Sequence, residues 1–138
     1  MRGFVGWWGR DSYISGIKQI RTIAQNILII INDAPYGTEK AYNALRLAMR
    51  IGKDHPGKEE RVFLMADAAF CAIADQNTHG GYYNIERMLK SVLARGGRVR
   101  ICGGCSEARG IKDPPLIEGT EMSTMAELTS GLWTAIRW

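Results

Sequence analysis

Cys102 and Cys105 form the pattern in this sequence that is best suited to chemistry. The pair follows residues 99–101, a short apolar run typical of a buried strand, and it precedes a polar segment that favours a turn or a helix start. Unpaired backbone N–H groups at such a junction point toward the preceding side chain and favour thiolate over thiol. We therefore predict a reactive cysteine at this junction.

Four kinds of Cys-x-x-Cys site fit these residues: a sulfur carrier or other nucleophile, a dithiol redox pair, half of a zinc site, and an inert structural turn. Zinc would need two further ligands, and the sequence offers only the scattered residues Cys71, His55 and His79. A redox pair fits a helix start after a strand, but the Gly-Gly interior weakens the helix. No phosphate-binding glycine motif is present, so we predict neither a metal nor a cofactor.

The remaining sequence predicts the elements that must position this pair. Strands are expected at residues 27–31, 61–65 and 98–101, with the first of them central in the sheet and buried on both faces. Helices are expected after Thr38, as an N-cap, and after Asn84, whose helix carries a complete apolar stripe. A capping box at Thr124 and Glu127 predicts a last helix, followed by a terminal strand at residues 135–138.

Alternating strands and helices of this kind predict an α/β fold with a single open, mainly parallel sheet covered by helices on both faces. Ligands bind such sheets at the carboxyl ends of the strands. Beside the cysteines, this edge would collect four candidate ligand-binding residues: Asn32, Tyr36, Asp67 and His79. Each also has a structural interpretation. Asn32 would form a turn that hydrogen-bonds its own backbone, and Tyr36 would pack on a neighbouring side chain. Asp67 would be a helix N-cap, and His79 would lie in a mobile loop.

Composition limits the class of protein. A chain of 138 residues with three cysteines fits one domain without a disulfide framework, with Cys71 as a buried free thiol, and suits the cytoplasm. Residues 1–25 have a net charge of +3 and are predicted to be a poorly ordered extension, whereas residues 26–138, the predicted α/β domain, hold 14 basic and 13 acidic groups. This balance argues against nucleic acid as a partner. No apolar run is long enough to span a membrane.

From Ile27 to the C-terminus the chain resembles the DsrE/DsrF-like proteins, most closely their YchN-like branch. Six ordered motifs carry the resemblance: Asn32-Asp33-Ala34-Pro35-Tyr36-Gly37, Asn43-Ala44-Leu45-Arg46-Leu47-Ala48, Phe63-Leu64-Met65-Ala66-Asp67-Ala68, Gly81-Tyr82-Tyr83-Asn84-Ile85, Cys102-Gly103-Gly104-Cys105 with Arg109-Gly110-Ile111, and Pro115-Leu116-Ile117-Glu118-Gly119. Several motifs in the same order are more specific than any one of them.

The resemblance implies a flavodoxin-like α/β fold, a homotrimer or homohexamer, and a cysteine that carries sulfur as a persulfide between donor and acceptor proteins. Aligning on Arg109-Gly110-Ile111 places the sulfur-carrying cysteine on Cys102 and the second cysteine of YchN-like members on Cys105. Arg109 would stabilise the sulfur anion if its side chain turned back toward the cysteine, and otherwise it would be a solvated surface charge. Two other functions stay open, an oligomeric ligand-binding or regulatory module without sulfur transfer and a thiol-disulfide redox protein, and so does the question whether the protein is an enzyme.

Overall fold

The computed structural model describes residues 26–111 and 113–135, with side chains to residue 130. The strands are β1 (Ile27–Ile31), β2 (Glu60–Leu64), β3 (Arg98–Cys102) and β4 (Thr120–Ser123), and the α-helices are α1 (Lys40–Asp54), α2 (Ile85–Ala94), α3 (Gly103–Ala108) and α4 (Met125–Ala135). Two 3₁₀ segments, Ala66–Ala72 and His79–Gly81, lie between β2 and α2. The prediction of an extension at residues 1–25 lies outside the described residues.

The four strands form one parallel sheet in the order β1-β2-β3-β4, which confirms the predicted α/β fold with a single parallel sheet. The prediction that residues 27–31 form a central strand is wrong, because β1 pairs only with β2 among the described strands. Ile29 and Ile31 pack into the main core, but Ile30 on the other face is 39% exposed. A continuous apolar run is typical of a strand that is covered on both faces. Here the face that carries Ile30 is only partly covered.

Helices cover both faces of the sheet, as predicted. The apolar faces of α1 and α2 pack on one side, where the core includes Leu45, Leu89, Val62 and Ile101. On the other side a smaller cluster forms around Phe63, with Cys102 and Leu128 of α4. Because strand side chains alternate between the two faces, Phe63 points away from its neighbours Val62 and Leu64. Cys102 therefore ends a strand that is packed from both sides.

The helix starts agree with the sequence in two cases out of three. Asn84 caps α2, since its Oδ1 accepts a hydrogen bond from the Arg87 N–H at 3.0 Å. Thr124 Oγ1 accepts the Glu127 N–H at 3.2 Å, as the capping box requires. The cap position of α1 is Glu39 rather than the predicted Thr38, and the Glu39 side chain makes no capping bond. A threonine one residue early still reaches the helix end, with Oγ1 3.4 Å from the Lys40 nitrogen.

Among the described residues, the last strand is one that the sequence did not indicate. Ala135 ends α4, and residues 136–138 of the predicted terminal strand lie outside the described part of the chain. The fourth strand is instead Thr120–Ser123, a polar segment whose composition carries no strand signal. It forms because β3 offers an open edge, against which Met122 pairs with Ile101 and Ser123 with Cys102.

Gly52 of α1 supplies a test of the packing between this helix and β2. A Cβ at Gly52 would overlap the side chain of Glu60, which is buried at the start of β2. Glycine to alanine within a helix ordinarily stabilises it by about 1 kcal/mol. We expect this gain to be lost here, because the Glu60 carboxylate must move: Gly52→Ala should lower the free energy of unfolding by up to about 1 kcal/mol, measured by urea denaturation.

The control for this prediction is the same substitution in a Glu60→Ala background, where the overlapping carboxylate is absent. There Gly52→Ala should be neutral or stabilising. An equal loss of stability in both backgrounds would show that the clash is not with Glu60. Burial also raises the pKa of Glu60.

Candidate functional site

The cysteine pair lies at the junction of β3 and α3. Cys102 is the last residue of β3 and occupies the N-cap position of α3, where its Sγ accepts the Cys105 N–H at 3.4 Å. Cys102 is 6% exposed, whereas Cys105 is half-buried, and both are free thiols. The buried Ser106 fixes the junction because its hydroxyl donates to the Cys102 carbonyl oxygen at 3.0 Å.

The pKa values of the two thiols are shifted in opposite directions. A hydrogen bond from the Cys102 thiol lowers the pKa of Cys105, and the Ala66 N–H and the Arg109 charge lower it further. Burial raises the pKa of Cys102, and its bond to the Cys105 sulfur adds to that effect. The predicted N–H groups at the helix start do lower the pKa of Cys102, but they do not decide its direction. Although the N–H groups of Gly104 and Cys105 do reach its sulfur, burial outweighs them.

Ala66 lies at the carboxyl edge of the sheet, as expected for a residue that follows the second strand, but no role in the site was predicted for it. It follows β2 and adopts φ +48°, in the left-handed region that residues other than glycine, asparagine and aspartate seldom enter. This conformation costs about 1–2 kcal/mol and places the Ala66 N–H against the Cys105 sulfur. Strain of this kind clusters at functional positions. The sequence carries no signal for it, because alanine is the residue least expected there.

Arg109 and Asp67 form the polar border of the site. Arg109 Nε donates to Asp67 Oδ1 at 2.9 Å, and its Nη1 donates to the Cys105 carbonyl oxygen at 3.2 Å. The guanidinium is thus turned back onto α3 beside the cysteine. Asp67 was also interpreted as a helix N-cap, but Met65 holds that position and Asp67 lies in the first turn of Ala66–Ala72. The structure therefore brings Asp67 to the site as the partner of Arg109.

The other three candidate residues lie elsewhere on the carboxyl edge. Tyr36 joins two loops, since its hydroxyl donates to Gln76 Oε1 at 2.5 Å and accepts the Ile85 N–H at 3.3 Å. Asn32 and His79 are exposed. Among residues 26–111 and 113–135, no hydrogen bond joins Asn32, Tyr36 or His79 to either cysteine of the pair.

The third cysteine is structural, as predicted. Cys71 is fully buried, and burial raises its pKa to about 12. Within the described ranges, no three His, Cys, Asp or Glu side chains are grouped so that they could hold a metal ion. No helix in the same ranges has the length and apolar character needed to cross a membrane.

Arg109→Gln tests the electrostatics of the pair. Loss of the guanidinium should raise the pKa of Cys105, because the positive charge that favours its thiolate is gone. We expect a few-fold slower alkylation of Cys105 by iodoacetamide at neutral pH, and a rate-against-pH curve displaced to higher pH, read by peptide mass mapping. Arg98→Gln removes the same charge at the far end of β3 and should leave this curve in place. Equal displacement by both variants would contradict the assignment.

Comparison with known proteins agrees with this geometry. The family model described as "DsrE/DsrF-like family" matches residues 25–132. Protein YchN of Escherichia coli is 40% identical over 110 residues, which cover 80% of this chain and 92% of YchN. An uncharacterized protein of Methanopyrus kandleri is 38% identical over 104 residues, covering 75% of this chain and 84% of its own.

The crystal structure of the ychN protein from E. coli is similar in fold as well as in sequence. It superposes with a TM-score of 0.77 at 39% identity, covering 80% of this chain and 94% of that one. The region that the family model matches, residues 25–132, includes all four described strands and the cysteine pair. The chain therefore belongs to the DsrE/DsrF-like family, which is associated with sulfur relay.

Proposed function

We propose that this protein is a sulfur carrier that holds sulfur as a persulfide on Cys102 and passes it to the thiol of a partner. The observation that supports the proposal is the pair of thiols in hydrogen-bonding contact, one buried at a strand end and one with a lowered pKa. Carrier chemistry needs a nucleophilic sulfur and a group that takes its proton. The pair contains both.

Sulfur uptake combines nucleophilic attack by Cys102 with transfer of its proton to Cys105. Cys102 sulfur attacks the terminal sulfur of a donor persulfide R–S–SH, a Cys102 S–S bond forms, the donor S–S bond breaks, and R–S⁻ leaves. The Cys105 thiolate takes the Cys102 proton as the attack proceeds, so the products are Cys102–S–SH, Cys105–SH and R–S⁻. Cys105 acts here as a general base, while Arg109 stabilises the negative charge on the Cys105 sulfur beforehand.

Release has two routes. An acceptor thiolate can attack the terminal sulfur of Cys102–S–SH, which moves the sulfur to the acceptor and restores the dithiol pair. Alternatively, the Cys105 thiolate attacks the inner sulfur, forming a Cys102–Cys105 disulfide and releasing HS⁻; a thiol reductant is then required to regenerate the pair. The second cysteine thus determines how long the persulfide lasts.

Assembly and partners are part of the proposal. The family resemblance supports a homotrimer or homohexamer, with separate donor and acceptor proteins, in a reducing compartment such as the cytoplasm. Light scattering coupled to size-exclusion chromatography tests the assembly directly. A monomer at all concentrations would contradict that part and leave the chemistry of the pair unaffected.

A thiol-disulfide redox protein is the second candidate, and it is favoured by one observation. The two cysteines are three residues apart across a helix start and their sulfurs are in hydrogen-bonding contact, which suits a reversible disulfide. Equilibration with reduced and oxidised glutathione distinguishes the two functions. A reversible disulfide without sulfur loading supports redox chemistry, whereas loading supports the carrier.

The experiment that tests the carrier is sulfur loading. Reduced protein is incubated with a cysteine desulfurase and cysteine, and intact mass and peptide maps are recorded. We expect one sulfur atom to add and to map to Cys102. If no sulfur adds and both thiols of the pair alkylate slowly, the cysteines are structural, and a ligand-binding or regulatory module replaces the carrier as the best interpretation.

A further inference from the structure

The outer surfaces of α1 and α2 enclose an open groove of about 850 Å³ that is distinct from the cysteine site. Five basic side chains line it: Arg46, Arg50, Lys53, Arg87 and Arg95. None of the described residues that line the groove is acidic. Residues 26–138 as a whole are nearly neutral. Their net charge therefore does not reveal that basic side chains are concentrated in this groove.

The basic residues form two facing rows. Arg46, Arg50 and Lys53 occupy positions i, i+4 and i+7 of α1, which puts them on one face in successive turns. Arg87 and Arg95 are eight residues apart and lie opposite them. Within the described chain, the carboxylate paired with this set is Asp54, on Arg50. Like charges held this close repel one another and disfavour the folded state unless an anion binds between them.

The aromatic residues of the groove limit the kind of anion. The Tyr42 ring packs against Tyr83 with centroids 4.2 Å apart, and the Arg46 guanidinium lies 5.6 Å from the Tyr42 centroid. Bases of single-stranded nucleic acids stack on free aromatic faces. In this groove the Tyr42 ring is covered by Tyr83 and Arg46, and Tyr83 itself is 48% exposed. The exposed apolar surface beside the arginines includes Leu47 at 56% exposure, whereas Met88 belongs to the core.

We propose that this groove is a docking site for an acidic segment of a partner protein, one in which carboxylates alternate with aliphatic side chains. Carboxylates would pair with the two basic rows, and aliphatic side chains would contact Leu47. Binding here uses neither cysteine of the pair. The proposal therefore stands or fails separately from sulfur transfer.

The test is fluorescence anisotropy with a short labelled peptide of alternating glutamate and leucine, and with its lysine–leucine counterpart. We expect the glutamate peptide to bind with an affinity that falls as salt is raised, and the lysine peptide not to bind. Lys53→Gln combined with Arg87→Gln should weaken binding roughly tenfold or more. The matched control, Lys40→Gln with Arg98→Gln, removes the same charge outside the groove and should bind nearly as wild type does.

Three results would overturn the proposal. Equal weakening by the two double variants would show that net charge alone attracts the peptide. Equal binding of both peptides would show a nonspecific surface. Tighter binding of an oligouridine than of the glutamate peptide, at the same salt and sensitive to the same groove variant, would reassign the groove to single-stranded nucleic acid.

Discussion

Cys102→Ser will abolish sulfur loading under conditions in which the wild-type protein takes up one sulfur atom. A serine hydroxyl is not ionised near neutral pH and cannot form a stable persulfide, so the carrier atom is lost. The backbone of the junction should remain, because Ser106 bonds the Cys102 carbonyl oxygen rather than its side chain. Serine in this buried position should cost about 1–3 kcal/mol of folding free energy. Intact mass after desulfurase treatment is the measurement.

Thermal unfolding controls for this cost, since a folded but unloaded variant separates chemistry from stability. Cys105→Ser is the matched substitution, with the same change of atom three residues away. If Cys102→Ser still loads while Cys105→Ser does not, the carrier is Cys105 and the assignment from the family resemblance is reversed. If both variants still load, the sulfur is not held by this pair.

Cys105→Ser will slow loading by about a hundredfold or more and will lengthen the life of the persulfide once it forms. Loading slows because the base that takes the Cys102 proton is missing, and general bases contribute typically 10²–10⁴-fold. The persulfide lasts longer because no neighbouring thiolate can attack its inner sulfur to release HS⁻. Time courses of intact mass, taken before and after removal of the donor, measure both effects.

The pH dependence gives this variant a second readout. In the wild type, the lowered pKa of Cys105 means that its thiolate forms at a lower pH than an ordinary thiol, and loading should level off above that pKa. In Cys105→Ser, loading needs ionised Cys102, whose pKa burial raises, so the curve should move to higher pH. An unchanged profile would contradict the role of Cys105 as the base.

The site was predictable from sequence in its placement but not in its protonation. The apolar residues before Cys102 and the polar ones after Cys105 indicated a strand-to-helix junction, and the structure has one there. The opposite pKa shifts of the two sulfurs depend on the hydrogen bond between them, on the burial of Cys102 beside Leu128 of α4, and on the Ala66 N–H. The last two come from segments distant in the chain. No local pattern encodes such contacts.

In the fold, too, elements determined by their own residues were predictable, and elements determined by distant contacts were not. Residues 85–94 were predictable because cap, apolar stripe and helix end all agree locally, with Asn84 bonded as expected. Thr120–Ser123 was not, since its strand conformation is imposed by pairing with β3 rather than by its own residues. The basic groove was missed for a different reason. Net charge was summed along the chain, whereas the spacing of Arg46, Arg50 and Lys53 decides what one helix face presents.

The strand order has a consequence for how the protein is made. Each described strand pairs with the strand that precedes it in the chain, so every pairing step closes a loop of only one strand–helix unit. The sheet can therefore grow in the order of synthesis, without inserting a late strand between two early ones. Ala66 follows β2 and Cys105 follows β3, so the thiolate receives its N–H partner only after these two strands have joined. A nascent chain should consequently lack the part of the Cys105 pKa lowering that comes from the Ala66 N–H until β2 and β3 have paired.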